Sequence, residues 1–188
     1  EYSIDVVNLS LGGNIFYQND KSYWLEYFGL GDEFSSLSEL GIVSVAAAGN
    51  NYSGVIDVNT FELLDYYVID GPDYDDYYLA GKNEHSIQGL ADPAAYPEVI
   101  SVGATWGGPD LHDWGSFNAN IGEPNAGSIV HFSQRDDELL DVVAYGGGIT
   151  SAFMGGGSTA LSGTSMASPY VAGLVLLMQE AAEQELGR

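Results

Sequence analysis

Cysteine is absent from the 188 residues of this chain, which excludes disulfide bonds and cysteine-based zinc sites. Cationic side chains are scarce: 4 Lys and Arg stand against 27 Asp and Glu, and the formal net charge is −23. Nucleic acid is therefore excluded as a partner, because its binding needs a cationic surface. No run of about 18 apolar residues is present, so no membrane-spanning helix is expected.

The length suits one domain with its own core, and a hydrophobic content of 45% is ordinary for a globular chain. Continuous apolar runs, typical of a parallel sheet covered on both faces, predict strands at 3–9, 42–48, 98–105 and 139–145. Helical spacing predicts one or two short amphipathic helices within 14–40 and a long helix at 164–186. The glycine stretches at 146–148 and 155–157 are predicted to be flexible turns.

The long helix opens with the run GTSMASP at residues 163–169. Ser165 lies where unpaired N–H groups and the positive end of the helix dipole favour negative charge, which suits a nucleophile attacking a carbonyl. Gly163 allows close approach of a substrate backbone, and Thr164 is a candidate helix cap. The simpler alternative is that these small polar residues only cap a buried helix.

Asn50 directly follows the apolar run at residues 42–48. In parallel sheets, ligands bind beyond the carboxyl ends of the strands, so the Asn50 amide is a candidate hydrogen-bond donor to an oxyanion. A plain turn residue is the alternative. The first strand also ends in a glycine pair, Gly12 and Gly13, and its edge is a candidate for pairing with an extended peptide.

Three blocks in this order resemble the second half of the catalytic domain of subtilisin-like serine proteases (subtilases, peptidase family S8). They are residues 7–12 (VNLSLG), 45–50 (VAAAGN) and 163–173 (GTSMASPYVAG). Residues 96–104 and 132–144 carry weaker similarity. Tyr170 departs from the pattern, since the family usually has His after the proline.

The resemblance implies an α/β fold, a partial doubly wound and mostly parallel sheet with flanking helices and with its early strands missing. It implies a serine endopeptidase that hydrolyses peptide bonds through an acyl-enzyme on Ser165. The side chain of Asn50 and the backbone N–H of Ser165 would form the oxyanion hole. The two walls of the substrate pocket would be residues Ser10, Leu11 and Gly12 on one side and Ala47, Ala48 and Gly49 on the other.

The triad of this family runs Asp, His, Ser along the chain, and the first two would lie upstream of residue 7. His85, His112 and His131 are better explained as surface or structural residues, and none is assigned as the general base. We therefore expect residues 1–188 to be the C-terminal part of one catalytic domain. Its partners would be a polypeptide substrate and the missing N-terminal half, without which the chain would be inactive.

Two further functions are compatible with the residues. A catalytically inactive subtilase-like binding or scaffold module would explain the absent base. A calcium-dependent surface protein would use the acidic segments near 51–95 and 106–130, which we interpret as insertions. No cofactor is needed for the chemistry, and the dense carboxylates are compatible with a structural Ca²⁺ ion because calcium takes several oxygen ligands. The family resemblance implies a secreted or cell-surface location.

Overall fold

The computed structural model describes residues 4–13, 15–18, 29–52, 66–70, 77–80, 88–107 and 126–187. Its main sheet has four parallel strands in the order β1-β3-β7-β8. They are β1 (Val6–Leu9), β3 (Val43–Ala47), β7 (Val99–Trp106) and β8 (Val142–Gly147). All four strands predicted from the apolar runs are present, within a few residues of their expected bounds.

Helices cover the two faces of this sheet. Helix α1 (Gly31–Glu39) contributes Phe34 to a core that also holds Ala46 and Tyr96. The long helix α2 (Thr164–Leu186) contributes Ala167 to a second core that contains Val45. Neighbouring residues of β3 therefore face opposite helices, as the two-residue period of a strand requires.

Neither described helix combines the length and hydropathy needed to cross a membrane.

A second sheet has the order β5-β4-β2-β6. Its strands are β2 (Ile15–Gln18), β4 (Tyr66–Asp70), β5 (Tyr77–Ala80) and β6 (Leu90–Ala91). The sequence did not predict β2. Of the one or two short helices expected within 14–40, α1 is present, and residues 19–28 lie outside the described residues. Phe16 and Tyr17 are fully buried between β4 and β6, and such aromatic side chains fit a pleated surface well.

The glycine-rich approach to α2 forms an antiparallel hairpin that the sequence analysis did not predict. Its strands are β9 (Ile149–Phe153) and β10 (Gly157–Leu161). Gly155 and Gly156 connect them with φ values of 90° and 85°, a conformation that favours glycine. The backbone N–H of Gly148 donates to Oγ of Ser162 at 2.7 Å and closes the base of the hairpin.

The segment predicted as an insertion at 51–95 supplies β4, β5 and β6. Residues 53–65, 71–76 and 81–87 of that segment lie outside the described residues, as do 108–125 of the segment at 106–130. The positions of His85 and His112, and of most acidic residues considered as calcium ligands, are among these.

Gly146 marks the closest approach between the sheet and α2. A Cβ at this position would lie 2.6 Å from the carbonyl oxygen of Gly163 and 2.7 Å from Cβ of Ala104. Gly146→Ala is therefore expected to lower the free energy of unfolding by about 1–3 kcal/mol, measured by urea denaturation. Gly157→Ala is the matched control, because a Cβ there meets nothing within 4 Å. Equal effects of the two substitutions would contradict this packing.

Candidate functional site

Three elements of the main sheet and its helix converge at one edge of the fold. Ser10 follows the end of β1, Asn50 lies just after β3, and α2 begins at Thr164. Strands β1 and β3 are parallel neighbours, so their carboxyl ends lie side by side. This is the edge at which open α/β sheets bind their ligands.

The Asn50 side chain joins the end of β3 to the first turn of α2. Its Oδ1 accepts from the backbone N–H of Thr164 at 2.8 Å and from Oγ1 of Thr164 at 3.0 Å. The backbone N–H of Gly49 donates to the same threonine hydroxyl at 3.2 Å. The N-cap residue of α2 is Gly163, which makes no side-chain cap. The expectation that Thr164 caps the helix is therefore wrong: Thr164 is buried in the first turn, and Asn50 supplies the acceptor from a distant part of the chain.

These contacts also fix which way the Asn50 amide points. A backbone N–H can only donate, so the atom facing Thr164 is the oxygen and Nδ2 points elsewhere. A Cβ placed on Gly163 would lie 3.5 Å from Nδ2 of Asn50, 3.5 Å from Sδ of Met166 and 3.6 Å from the backbone nitrogen of Ser165. Two hydrogen-bond donors and a thioether sulfur thus surround this point. With φ at 164°, Gly163 has extended backbone, so a side chain there would be limited by these atoms and not by backbone strain.

Ser165 and Ser10 are joined by reciprocal hydrogen bonds. Oγ of Ser165 donates to the carbonyl oxygen of Ser10 at 3.3 Å, and Oγ of Ser10 donates to the carbonyl oxygen of Ser165 at 2.8 Å. The predicted nucleophile therefore lies beside the residues predicted to pair with a substrate backbone. Within the described ranges, the hydroxyl of Ser165 has no imidazole partner.

His131 is the histidine whose surroundings the described residues show. Burial lowers the pKa of its imidazole, and the charge of Arg135 lowers it further. Its ring meets Phe132 edge-on at 5.2 Å, and its Nδ1 is buried without a hydrogen-bond partner. These contacts agree with the interpretation of His131 as a structural residue.

The two predicted walls of the pocket approach each other around Ala91. Its Cβ lies 3.3 Å from where a Cβ of Gly12 would be and 3.1 Å from the same point on Gly49. Gly49 has a φ of 112°, and Cγ of Gln134 lies 2.8 Å from the point where a Cβ of Gly49 would be. Ala47 and Ala48 are buried in the wall at the end of β3, whereas Leu11 is exposed.

Ala91 and Gln134 were not identified from the sequence. A buried alanine in a two-residue strand and a glutamine in a turn carry no local signal of proximity to Gly49. Backbone hydrogen bonds bring them there: the N–H of Ala91 donates to the carbonyl oxygen of Ala48, and the N–H of Gln134 donates to that of Gly49, both at 2.9 Å. Among the residues that the structure describes, no group of three metal-ligating side chains is present.

The described architecture is that of an α/β protein with its candidate site at the carboxyl edge of a parallel sheet. The sequence model of the Subtilase family matches residues 1–187. The chain therefore belongs to the subtilases, a family of serine proteases.

Curated relatives agree with this assignment. The chain is 41% identical over 96 residues to Subtilisin-like protease 7 of Arthroderma gypseum, an alignment that covers 51% of this chain and 19% of that protein. It is 31% identical over 134 residues to the subtilisin-like serine protease AsES of Sarocladium strictum, covering 71% of this chain and 28% of that protein. The matches thus span less than a third of these relatives.

A solved structure supports the fold. The prenylagaramide maturation protease PagA superposes with a TM-score of 0.54 at 22% identity. The match covers 96% of this chain and 45% of PagA. The prediction of a partial subtilisin-like α/β fold is confirmed.

Asp92 is a half-buried carboxyl group next to these walls. Its backbone carbonyl accepts from the N–H of Gly13 at 3.0 Å, whereas its side-chain Oδ1 is buried without a hydrogen-bond partner. Burial raises the pKa of the Asp92 carboxyl group. Burial, followed by the charge of Asp92, also raises the pKa of Tyr96.

A raised pKa means that the folded chain holds the Asp92 proton more tightly than the unfolded chain does. The contribution of Asp92 to the free energy of unfolding is therefore fully present below its unfolded pKa of 3.8. It is lost as pH rises through the pKa that Asp92 has in the folded chain. Asp92→Asn is therefore expected to raise the melting temperature at about pH 7 and to change it little at about pH 3. The exposed Asp137→Asn serves as control. A gain of the same size at both pH values would contradict the burial argument.

Proposed function

We propose that this chain is the nucleophile-bearing part of a subtilisin-type serine endopeptidase. Ser165 attacks the carbonyl carbon of a peptide bond, the amine leaves, and water hydrolyses the resulting acyl-enzyme. One observation carries the proposal: Nδ2 of Asn50 and the backbone nitrogen of Ser165 lie 3.5 Å and 3.6 Å from the same point, the Cβ position of Gly163. Two donors this close to one point suit an oxygen that gains negative charge in the transition state.

The walls around this point suit an extended polypeptide. Ser10, Leu11 and Gly12 leave β1 beside Ser165, where their backbone groups are placed to pair with a substrate strand. Ala47, Ala48 and Gly49 form the facing wall. In this proposal, the substrate side chain before the scissile bond enters between the walls, and Ala91 limits its depth.

The general base and its carboxylate come, in this proposal, from a further segment of the domain. Three observations support it. The chain covers 45% of PagA. Among the described strands, β1 pairs with β3 alone, which leaves its other edge without a described partner. A stripe of α2 is apolar and exposed, which is typical of a helix that other elements cover; it comprises Tyr170, Leu174, Leu177 and Met178.

An inactive binding or scaffold module is the second candidate. It is favoured by the hydroxyl of Ser165, which donates to the carbonyl oxygen of Ser10 and has no imidazole beside it in the described part of the chain. An extracellular location and a structural calcium ion stay predictions of the sequence.

A fluorophosphonate probe distinguishes the two candidates, because it reacts only with an activated serine. We expect Ser165 to be labelled in the protein that joins this chain to the segment supplying Asp and His, and not in the chain alone. Ser165→Ala should abolish labelling, as read by mass spectrometry of the peptide containing residue 165. A folded, longer protein that stays unlabelled would favour the inactive module. Labelling that survives Ser165→Ala would refute the assigned nucleophile.

Asn50→Asp separates the two roles of the Asn50 amide. The aspartate retains an oxygen for the N–H of Thr164 but loses the donor at Nδ2. We expect kcat to fall about 10²–10³-fold with little change in stability, the range that subtilisin itself established for one oxyanion donor. Asn50→Leu removes both roles and should also lower the free energy of unfolding by about 0.5–2 kcal/mol. If kcat of Asn50→Asp stays near that of the native protein, Asn50 is not an oxyanion donor.

A further inference from the structure

A chain of three hydrogen bonds links β1 to the start of α2 through Asn8. Oγ of Ser168 donates to Oδ1 of Asn8 at 2.6 Å. Nδ2 of Asn8 donates to Oγ of Ser10 at 3.0 Å, and Oγ of Ser10 donates to the carbonyl oxygen of Ser165 at 2.8 Å. All three bonds run in one direction, from the helix to the strand and back to the helix.

The backbone geometry closes these bonds into a ring. Ser165 and Ser168 are three residues apart, so they share one face of α2. Asn8 and Ser10 are two residues apart along an extended segment, so they share one side of it. The Asn8 amide lies between the two pairs. It therefore sets the spacing between the end of β1 and the first turn of the helix that carries Ser165.

The ring requires that the Asn8 side chain accept one hydrogen bond through Oδ1 and donate another through Nδ2. Ser168 is fully buried, and Oδ1 of Asn8 is the acceptor its hydroxyl uses. Nδ2 then donates to Ser10, which leaves the hydroxyl hydrogen of Ser10 for the carbonyl of Ser165. A carboxylate at position 8 would have no donor. The hydroxyl of Ser10 would turn toward it, and the bond to Ser165 would be lost.

We propose that Asn8 is a positioning residue for the nucleophile. It acts through Ser10 and Ser168 to hold the first turn of α2 against the strand end that is proposed to bind substrate. Ser165 is thereby kept at a fixed distance from the backbone on which the scissile peptide would lie. This inference rests on the proposed endopeptidase function, and it assigns to Asn8 no contact with the substrate.

Asn8→Asp is the test variant, since it preserves shape, removes the donor and adds one negative charge, which the control variant also adds. Gln184→Glu is the matched control: it makes the same change from amide to carboxylate near the far end of α2, where Nε2 of Gln184 donates to Glu180. In the full-length protein, Asn8→Asp is expected to lower kcat for a peptide substrate by about 10–100-fold and to change KM by less than about threefold. Gln184→Glu should leave both unchanged. An unchanged kcat in Asn8→Asp would overturn the proposal.

Hydrogen exchange tests the same inference without activity. In Asn8→Asp, amide exchange in the peptide spanning residues 163–168 should rise by about tenfold or more, while Gln184→Glu leaves it unchanged. Ser168→Ala breaks the ring at its buried end and should produce the same local increase, so it decides the question if Asn8→Asp does not fold. Unchanged exchange, or an equal rise in the control, would refute the role of Asn8. If the native protein hydrolyses no peptide, the proposed function is wrong. The hydrogen-exchange result then tests the positioning role of Asn8 by itself.

Discussion

The hydrogen bonds between Asn50 and Thr164 are the contacts on which the candidate site depends. The helix start has N–H groups without partners in its own helix, and Oδ1 of Asn50 satisfies the first of them at 2.8 Å. The same bond turns Nδ2 away from Thr164, and Nδ2 lies 3.5 Å from the Cβ position of Gly163. One side chain therefore fastens β3 to α2 and orients a donor beside Ser165. A site built in this way is as rigid as the sheet and helix that carry it.

The close packing beneath this contact explains the small residues of the sequence. Gly146 lies against the carbonyl of Gly163 and the side chains of Ala104 and Ala167, so the helix start rests directly on the sheet. Ala167 and Ala172 face the same core, whereas several large apolar residues of α2 remain exposed in the described structure. The buried side of α2 thus fixes the position of the serine.

Much of the fold follows from local patterns in the sequence. The four parallel strands and both ends of α2 were predicted because continuous apolar runs and helical spacing are visible within a few turns of chain. Strand β2 was not predicted, because the run around Phe16 and Tyr17 is too short to indicate a period, and its pairing with β4 and β6 defines it as a strand. The β9–β10 hairpin was missed because glycine-rich segments indicate turns without indicating which flanking residues pair.

By itself, the sequence determined the family, the serine at the helix start and the asparagine after a buried strand, since each is carried by a short contiguous motif. Only the tertiary structure decided that Asn50 and not Thr164 caps α2, that Ala91 lies between the two walls, and that Asn8 bridges Ser10 and Ser168. Apart from the bond between Asn8 and Ser10, these contacts join residues that are distant in the sequence, up to 160 positions apart. Local sequence patterns show which side chains are available for the site, whereas the packing of the strands against the helix determines which of them are in contact.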